Sequence, residues 1–164
     1  MSENKIDLNK LKEYIELGLV SESEHPERPE IKIYNYTPEC QFDRKWDEVT
    51  KICRGLIVNT ETGEILARPF EKFFNIQEHL EVLKLPLPNE DPNITEKVDG
   101  SLGILYWLDG DPWIATRGSF VSDQAIWATD WFRKNVKYSD LPKDLTLLFE
   151  IIYKENRIVV NYDF

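Results

Sequence analysis

Thr95-Glu96-Lys97-Val98-Asp99-Gly100-Ser101-Leu102 is the stretch from which the rest of this chain is read. Its lysine stands two residues before an Asp-Gly pair. Ile94 precedes it, and an alternating apolar run follows at Leu102, Ile104, Tyr106 and Leu108. Alternation predicts a strand, and Asp-Gly predicts a tight turn in which glycine takes backbone angles that other residues avoid. Lys97 is thereby expected at a strand end, held by the sheet and aimed into a pocket. A lysine nucleophile must be neutral to attack, and a cation-rich or poorly hydrated pocket favours the neutral form. Alone, the pattern is better read as a surface lysine beside a hairpin turn. Its neighbours decide between the two.

The next pair of runs predicts a hairpin. Trp113-Ile114-Ala115-Thr116 returns after the turn at Asp109-Gly110-Asp111 and delivers Arg117-Gly118-Ser119 close to Lys97. A guanidinium there would bind a phosphate. Ser122-Asp123 opens a helix carrying Ala125, Trp127, Ala128, Trp131 and Phe132, whose two tryptophans are read as core. Upstream, Cys53-Arg54-Gly55-Leu56-Ile57-Val58-Asn59 and Glu64 to Phe70 flank a Gly63-containing turn and predict a second hairpin. Arg54 and Arg68 fall at its open end, with Lys72 just beyond, as a candidate positive cluster. Leu145 to Tyr153 and Ile158 to Tyr162 predict a third hairpin. Glu150 interrupts its apolar strand, so it either faces solvent or binds something, because a buried unpaired carboxylate is costly.

The remaining segments frame these hairpins. Residues 6–17 have helical apolar spacing, with Gly18 as a stop, and 21–30 read as an acidic, proline-containing loop. Ile31 to Tyr36 alternates as a strand with Tyr34 and Tyr36 on one face. Thr37 to Glu48 is a connection. Residues 76–85 suit a short helix before the prolines at 86, 88 and 92 enforce an irregular link. The expected fold class is α+β, with antiparallel sheets, flanking helices and one domain over 1–164, of which 1–30 is an N-terminal helix and loop.

The chain has 164 residues, 41% of them hydrophobic and 12% aromatic, enough for one packed core. A net charge of −10 argues against indiscriminate nucleic-acid binding but permits a local basic cleft. No apolar run approaches the roughly 18 residues of a membrane span, and the polar N-terminus is unlike a signal peptide. The reading is a cytoplasmic protein without a membrane partner. Cys40 and Cys53 lack metal-ligand spacing and are read as free thiols.

Taken in order, Cys53-Arg54-Gly55, Arg68 to Asn75, Lys97-Val98-Asp99-Gly100-Ser101-Leu102, Arg117-Gly118-Ser119, Phe149-Glu150 and Asn156-Arg157-Ile158-Val159 resemble the motifs of the phage RNA ligase 1-type family. That family belongs to the covalent lysyl-nucleotidyltransferases, with DNA ligases and mRNA capping enzymes. The resemblance implies an ATP-grasp-like nucleotidyltransferase domain. It implies ATP, with Mg²⁺ or Mn²⁺, and an RNA partner bearing 5′-phosphate and 3′-OH ends, cleaved tRNA being one such RNA. Lys97 would form lysyl-AMP, and AMP would pass to the 5′-phosphate before sealing. By matching motif, Arg54, Lys72 and Arg117 would hold phosphates with help from Tyr34, and Glu150 would hold the ribose. Phe74 would help shape the site, while Asp99 and Gly100 would fix the lysine loop. The metal ligands are not indicated.

Two departures stand out. Arg117 occupies the place of the family's lysine in Lys-Gly-Ser, which keeps the charge and changes the geometry. The family's later Glu-Gly-x-hydrophobic and Lys-x-Lys strands do not follow before Phe164. The expectation is therefore an N-terminal portion of a ligase with a weak or absent first step. The alternatives are a non-catalytic nucleotide- or RNA-binding fragment and a capping-type guanylyltransferase.

Overall fold

The computed structural model describes residues 4–84 and 86–162. The chain is α+β, with two antiparallel sheets stacked between helices. The first sheet has the order β1 (Val20–Glu24), β2 (Ile31–Tyr36), β3 (Arg54–Asn59), β4 (Ile65–Ala67). The second has β5 (Ser101–Leu108) between β6 (Asp111–Ala115) and β7 (Leu148–Ile151). Its β5–β6 hairpin closes on Asp109 and Gly110, both at positive φ, the geometry that a two-residue turn requires.

Alternation along the strands sets the layers. Leu56, Val58 and Ile65 face outward under α1 (Leu8–Glu16) and α3 (Glu48–Ile52), where they meet Leu11 and Val49. Ile31, Ile33, Ile57 and Ala67 face the other way, onto Ile104, Tyr106 and Ala115 of the second sheet. That sheet's far face, with Leu105, Ile114 and Ile151, is covered by Ala128 and Phe132 of the long helix. α2 (Pro38–Phe42) and α3 sit in the connection between β2 and β3, α4 (Ile76–Glu78) runs into a π turn at His79–Leu83, and α5 (Asp123–Asn135) is the long helix. The Ser122 hydroxyl caps α5 by accepting from the Ala125 N–H, where Ser-Asp predicted the start.

Several expectations need correction. Val20–Glu24 is a strand, not a loop. Only Val20 of it is buried, and its charged residues suit an exposed edge, which hides a strand from any apolar pattern. The third hairpin does not form. β7 pairs with β5, and residues 157–162 follow a 3₁₀ turn as an irregular tail. Ile94, expected as an apolar approach, is 91% exposed, and β5 begins only at Ser101, so Lys97 precedes the strand by four residues. Trp127 packs on the third core cluster, but Trp131 is half-exposed and stacks on Trp127. The free thiols Cys40 and Cys53 are buried, and burial raises the Cys53 thiol to about 12. The predicted helix over 76–85 reaches Leu85, which lies outside the described residues.

Candidate active site

An open cleft of about 890 Å³ lies where β3, the β6 exit, β7 and the lysine loop meet. Lys97, Arg54, Arg117, Gly100 and Glu150 all line it. Each arrives by a different route. Arg54 opens β3 beside a bulge: Tyr34 pairs with Leu56 and Asn35 with Arg54, so Gly55 is the extra residue, at φ +89°. A bulge bends the strand and re-aims the side chain next to it. Arg117 follows β6 in a tight Thr116–Ser119 turn, and its carbonyl accepts from the Asn35 side-chain amide.

The two guanidiniums are held without a carboxylate. Arg54 donates to the Phe70 carbonyl at 3.4 Å and lies 5.0 Å from the Phe73 ring centre. Arg117 lies 5.4 Å from the Tyr36 ring centre and donates to its hydroxyl at 3.3 Å. Burial pushes the Arg54 pKa below its ordinary value, and the like charge of Arg117 acts in the same sense. Among the described residues the ion pairs involve Arg28, Lys32, Arg44 and Lys137, none of which lines this cleft. Glu96 and Glu150 line the same cleft, yet neither forms an ion pair with Arg54 or Arg117.

The lysine loop is tied at its base. The Asp99 carboxylate accepts from the N–H groups of Val159 and Val160, both at 2.7 Å, and the Asp99 N–H donates to the Tyr162 hydroxyl at 2.7 Å. The Gly100 N–H donates to Glu150 at 2.9 Å. Gly100 is not at positive φ, against the turn expectation. Its glycine is required by close approach instead, since a Cβ there would stand 2.6 Å from the Ile151 carbonyl oxygen and 3.0 Å from the Glu150 side chain.

Those two amides hold the Asp99 pKa below the usual carboxylate value. A depressed pKa means that the tie is complete above the ordinary value near about 4 and fails as pH falls through the depressed one. Protection of the Val159 and Val160 amides against exchange should therefore be lost only in acid. In Asp99→Ala that protection should be lost at neutral pH as well.

Not every expected residue comes to the cleft. Tyr34 is 3% exposed in the core under α1 and α3, where burial pushes its hydroxyl pKa up. Its neighbour Tyr36, past the bulge, is the tyrosine beside Arg117. Pairing partners are invisible in one sequence, so nothing there separates the two. Lys72 stands behind the cleft in an aromatic nest, 4.7 Å from the Phe74 ring centre and 5.5 Å from that of Trp46. Trp46 in turn meets Tyr36 edge-on. Arg68 lies elsewhere, in a second cleft. Sequence reading also missed Gln124, which lines the cleft and donates to Asn156 at 3.1 Å, and Asn156 ties Ser101 to the Ile151 carbonyl.

Among the described residues no three His, Cys, Asp or Glu side chains gather closely enough to hold a metal. None of the described helices is long and apolar enough to cross a membrane.

A family model described as RNA ligase matches residues 52–163. The chain is 31% identical over 81% of its length to a "Putative bifunctional polynucleotide kinase/RNA ligase" of Autographa californica nuclear polyhedrosis virus, covering 24% of that protein. It is 32% identical over 67% of its length to a "Putative RNA ligase" of Thermovibrio ammonificans, covering 30%. It is 25% identical over 83% of its length to an RNA ligase of Rhodothermus phage RM378, covering 39%. The chain thus spans well under half of each of these relatives. With a family model matched over more than half of it, the chain belongs to the phage RNA ligase 1-type RNA ligase family.

Proposed function

We propose that this chain carries the nucleotidyl-transfer site of an ATP-dependent RNA ligase, with Lys97 as its nucleophile. The observation that carries the reading is the convergence of Lys97 with Arg54, Arg117 and Glu150 on one cleft.

In the proposed first step the neutral Lys97 amine attacks the α-phosphate of ATP. A P–N bond forms, the bond from the α-phosphorus to the bridging oxygen breaks, pyrophosphate leaves, and the amine proton passes to solvent. Covalent catalysis divides a hard condensation into easier steps. Phosphoryl transfer of this kind depends mainly on positioning and charge. Arg54 and Arg117 are placed to hold phosphate oxygens, because both line the cleft, Arg54 is partly buried, and neither forms an ion pair with a carboxylate among the described residues. Glu150, already bonded to Gly100, has a second oxygen with which to accept from ribose hydroxyls. Lys72, over the Phe74 and Trp46 rings, is a further candidate for holding phosphate. A divalent ion supplies further charge neutralisation when bound.

In the later steps AMP passes to an RNA 5′-phosphate, and a 3′-OH displaces it to seal the strand. Incubation with α-labelled ATP tests the first step. A weak acid-labile, base-stable label on the protein is the expected result, because the family's later Glu-Gly-x-hydrophobic and Lys-x-Lys strands are not in this sequence. Labelling by GTP and not ATP would favour a capping-type transferase, and binding of ATP without any label a non-catalytic module.

A further inference from the structure

Asn156-Arg157-Ile158-Val159 stands out in the sequence, and the tail that it opens runs up to the lysine loop. The β5 ladder begins only at Ser101, so it does not hold the residues ahead of it, Lys97 included. Burial does little for the tail either, because Ile158, Val159 and Val160 are all exposed. Two weakly packed segments thus lie against each other, joined by polar contacts.

Those contacts bracket the loop where it enters β5. The Ser101 hydroxyl accepts from the Asn156 side-chain amide at 3.1 Å. Asn156 is 7% exposed, and the same amide donates to the Ile151 carbonyl at 2.8 Å and accepts from Gln124 of α5 at 3.1 Å. Its donors and its acceptor all have partners, so this buried side chain is a fixed anchor between β7 and α5. From that anchor the tail crosses to Asp99, two residues nearer Lys97. There both polar ends of one residue are taken: the carboxylate accepts from Val159 and Val160, and the N–H donates to the Tyr162 hydroxyl. Gly100, between the two points, donates to Glu150. A loop gripped at a fixed end and again two residues further out has few ways to swing.

We propose that residues 156–162 form a clasp that positions the Lys97 amine at the cleft, with Tyr162 as the positioning residue that closes it. This rests on reading Lys97 as the nucleophile. Tyr162 is not among the residues lining the cleft, so it acts through Asp99 and not on the nucleotide. Attack on phosphorus tolerates little error in the place of the amine, which is what a second grip near Lys97 limits.

The test compares Tyr162→Phe with the native chain by amide exchange read in NMR spectra, by the rate of labelling from ATP and by the thermal midpoint. Tyr14→Phe is the control, since it deletes a tyrosine hydroxyl bonded to Asp47 beside α1, away from the cleft. Tyr162→Phe should speed exchange at Gly100, Val159 and Val160 by about fivefold, the worth of one hydrogen bond, although none of these amides bonds to Tyr162. Labelling at saturating ATP should slow by a similar factor, with the half-saturating ATP concentration unchanged and the midpoint within about 2 °C of native. Tyr14→Phe should match the native chain in exchange at those amides and in labelling. Faster exchange confined to the Asp99 amide would overturn the proposal, because the hydroxyl would then hold only its own partner. So would a native labelling rate in Tyr162→Phe, or the same losses in Tyr14→Phe. A native chain that takes no label removes the transferase reading, and exchange at the three amides then upholds or overturns the clasp by itself.

Discussion

Lys97→Ala is expected to take up no label from ATP, at any nucleotide concentration, while melting within a degree or two of the native chain. The lysine side chain is exposed on the cleft wall and makes no ion pair with another described residue, so truncating it should change stability by only about 0.5 kcal/mol. What it removes is the only amine among the residues lining the cleft. Lys97→Arg sharpens the result. Guanidinium keeps the positive charge but does not lose its proton in a protein, so it can bind phosphate and cannot attack it. Nucleotide affinity should persist in Lys97→Arg and labelling should vanish. A contribution limited to charge would instead leave measurable label.

The second large effect is on Gly55. Gly55→Ala should destabilise the chain by about 2–4 kcal/mol, from a left-handed backbone that an alanine adopts at a cost and from overpacking of a full core. The added Cβ would stand 2.4 Å from the Ile104 Cδ1, and Ile104 is fully buried between the sheets. Roughly 5–15 °C should be lost from the Tm. Because Gly55 is the bulge residue beside Arg54, and a Cβ there would also stand 3.4 Å from the Arg117 carbonyl oxygen, the phosphate seat should loosen along with the core. Nucleotide binding measured well below the variant's Tm should therefore still be weaker than native. Calorimetry and nucleotide titration on the same sample separate the two effects.

How much of this was legible without coordinates depends on whether the signal was local. The β3–β4 and β5–β6 hairpins were readable because apolar alternation and turn residues lie within a few positions of each other. The same hairpins brought Arg54 and Arg117 toward Lys97, and the start of α5 at Ser122 is a capping signal of the same local kind. β1 was not readable. Val-Ser-Glu-Ser-Glu has no apolar alternation, and what makes it a strand is its pairing with β2. Tyr34 and Tyr36 were indistinguishable because the bulge depends on β3 as partner. The tail was read as a strand on composition, whereas the Asp99 carboxylate takes the Val159 and Val160 amides. The glycine of Asp-Gly was rightly singled out for the wrong reason: β7 packs against it, and no turn angle demands it.

The arrangement also shows how an acidic chain can line a cleft with cations that form no ion pair. Its ion pairs among described residues lie along β1, β2 and the outer loops, while the cations of the cleft are spared. Charge is thus distributed by position, and the total of −10 says little about the field that a nucleotide meets.

The most direct measurement is the position of the label. After incubation with ATP, the chain is digested under basic conditions that preserve a phosphoramidate, and the nucleotide-bearing peptide is sequenced by mass spectrometry. The account predicts one adenylate, on Lys97 and nowhere else. An adenylate on Lys72, Lys143 or any other lysine, or one that survives in Lys97→Ala, would contradict it.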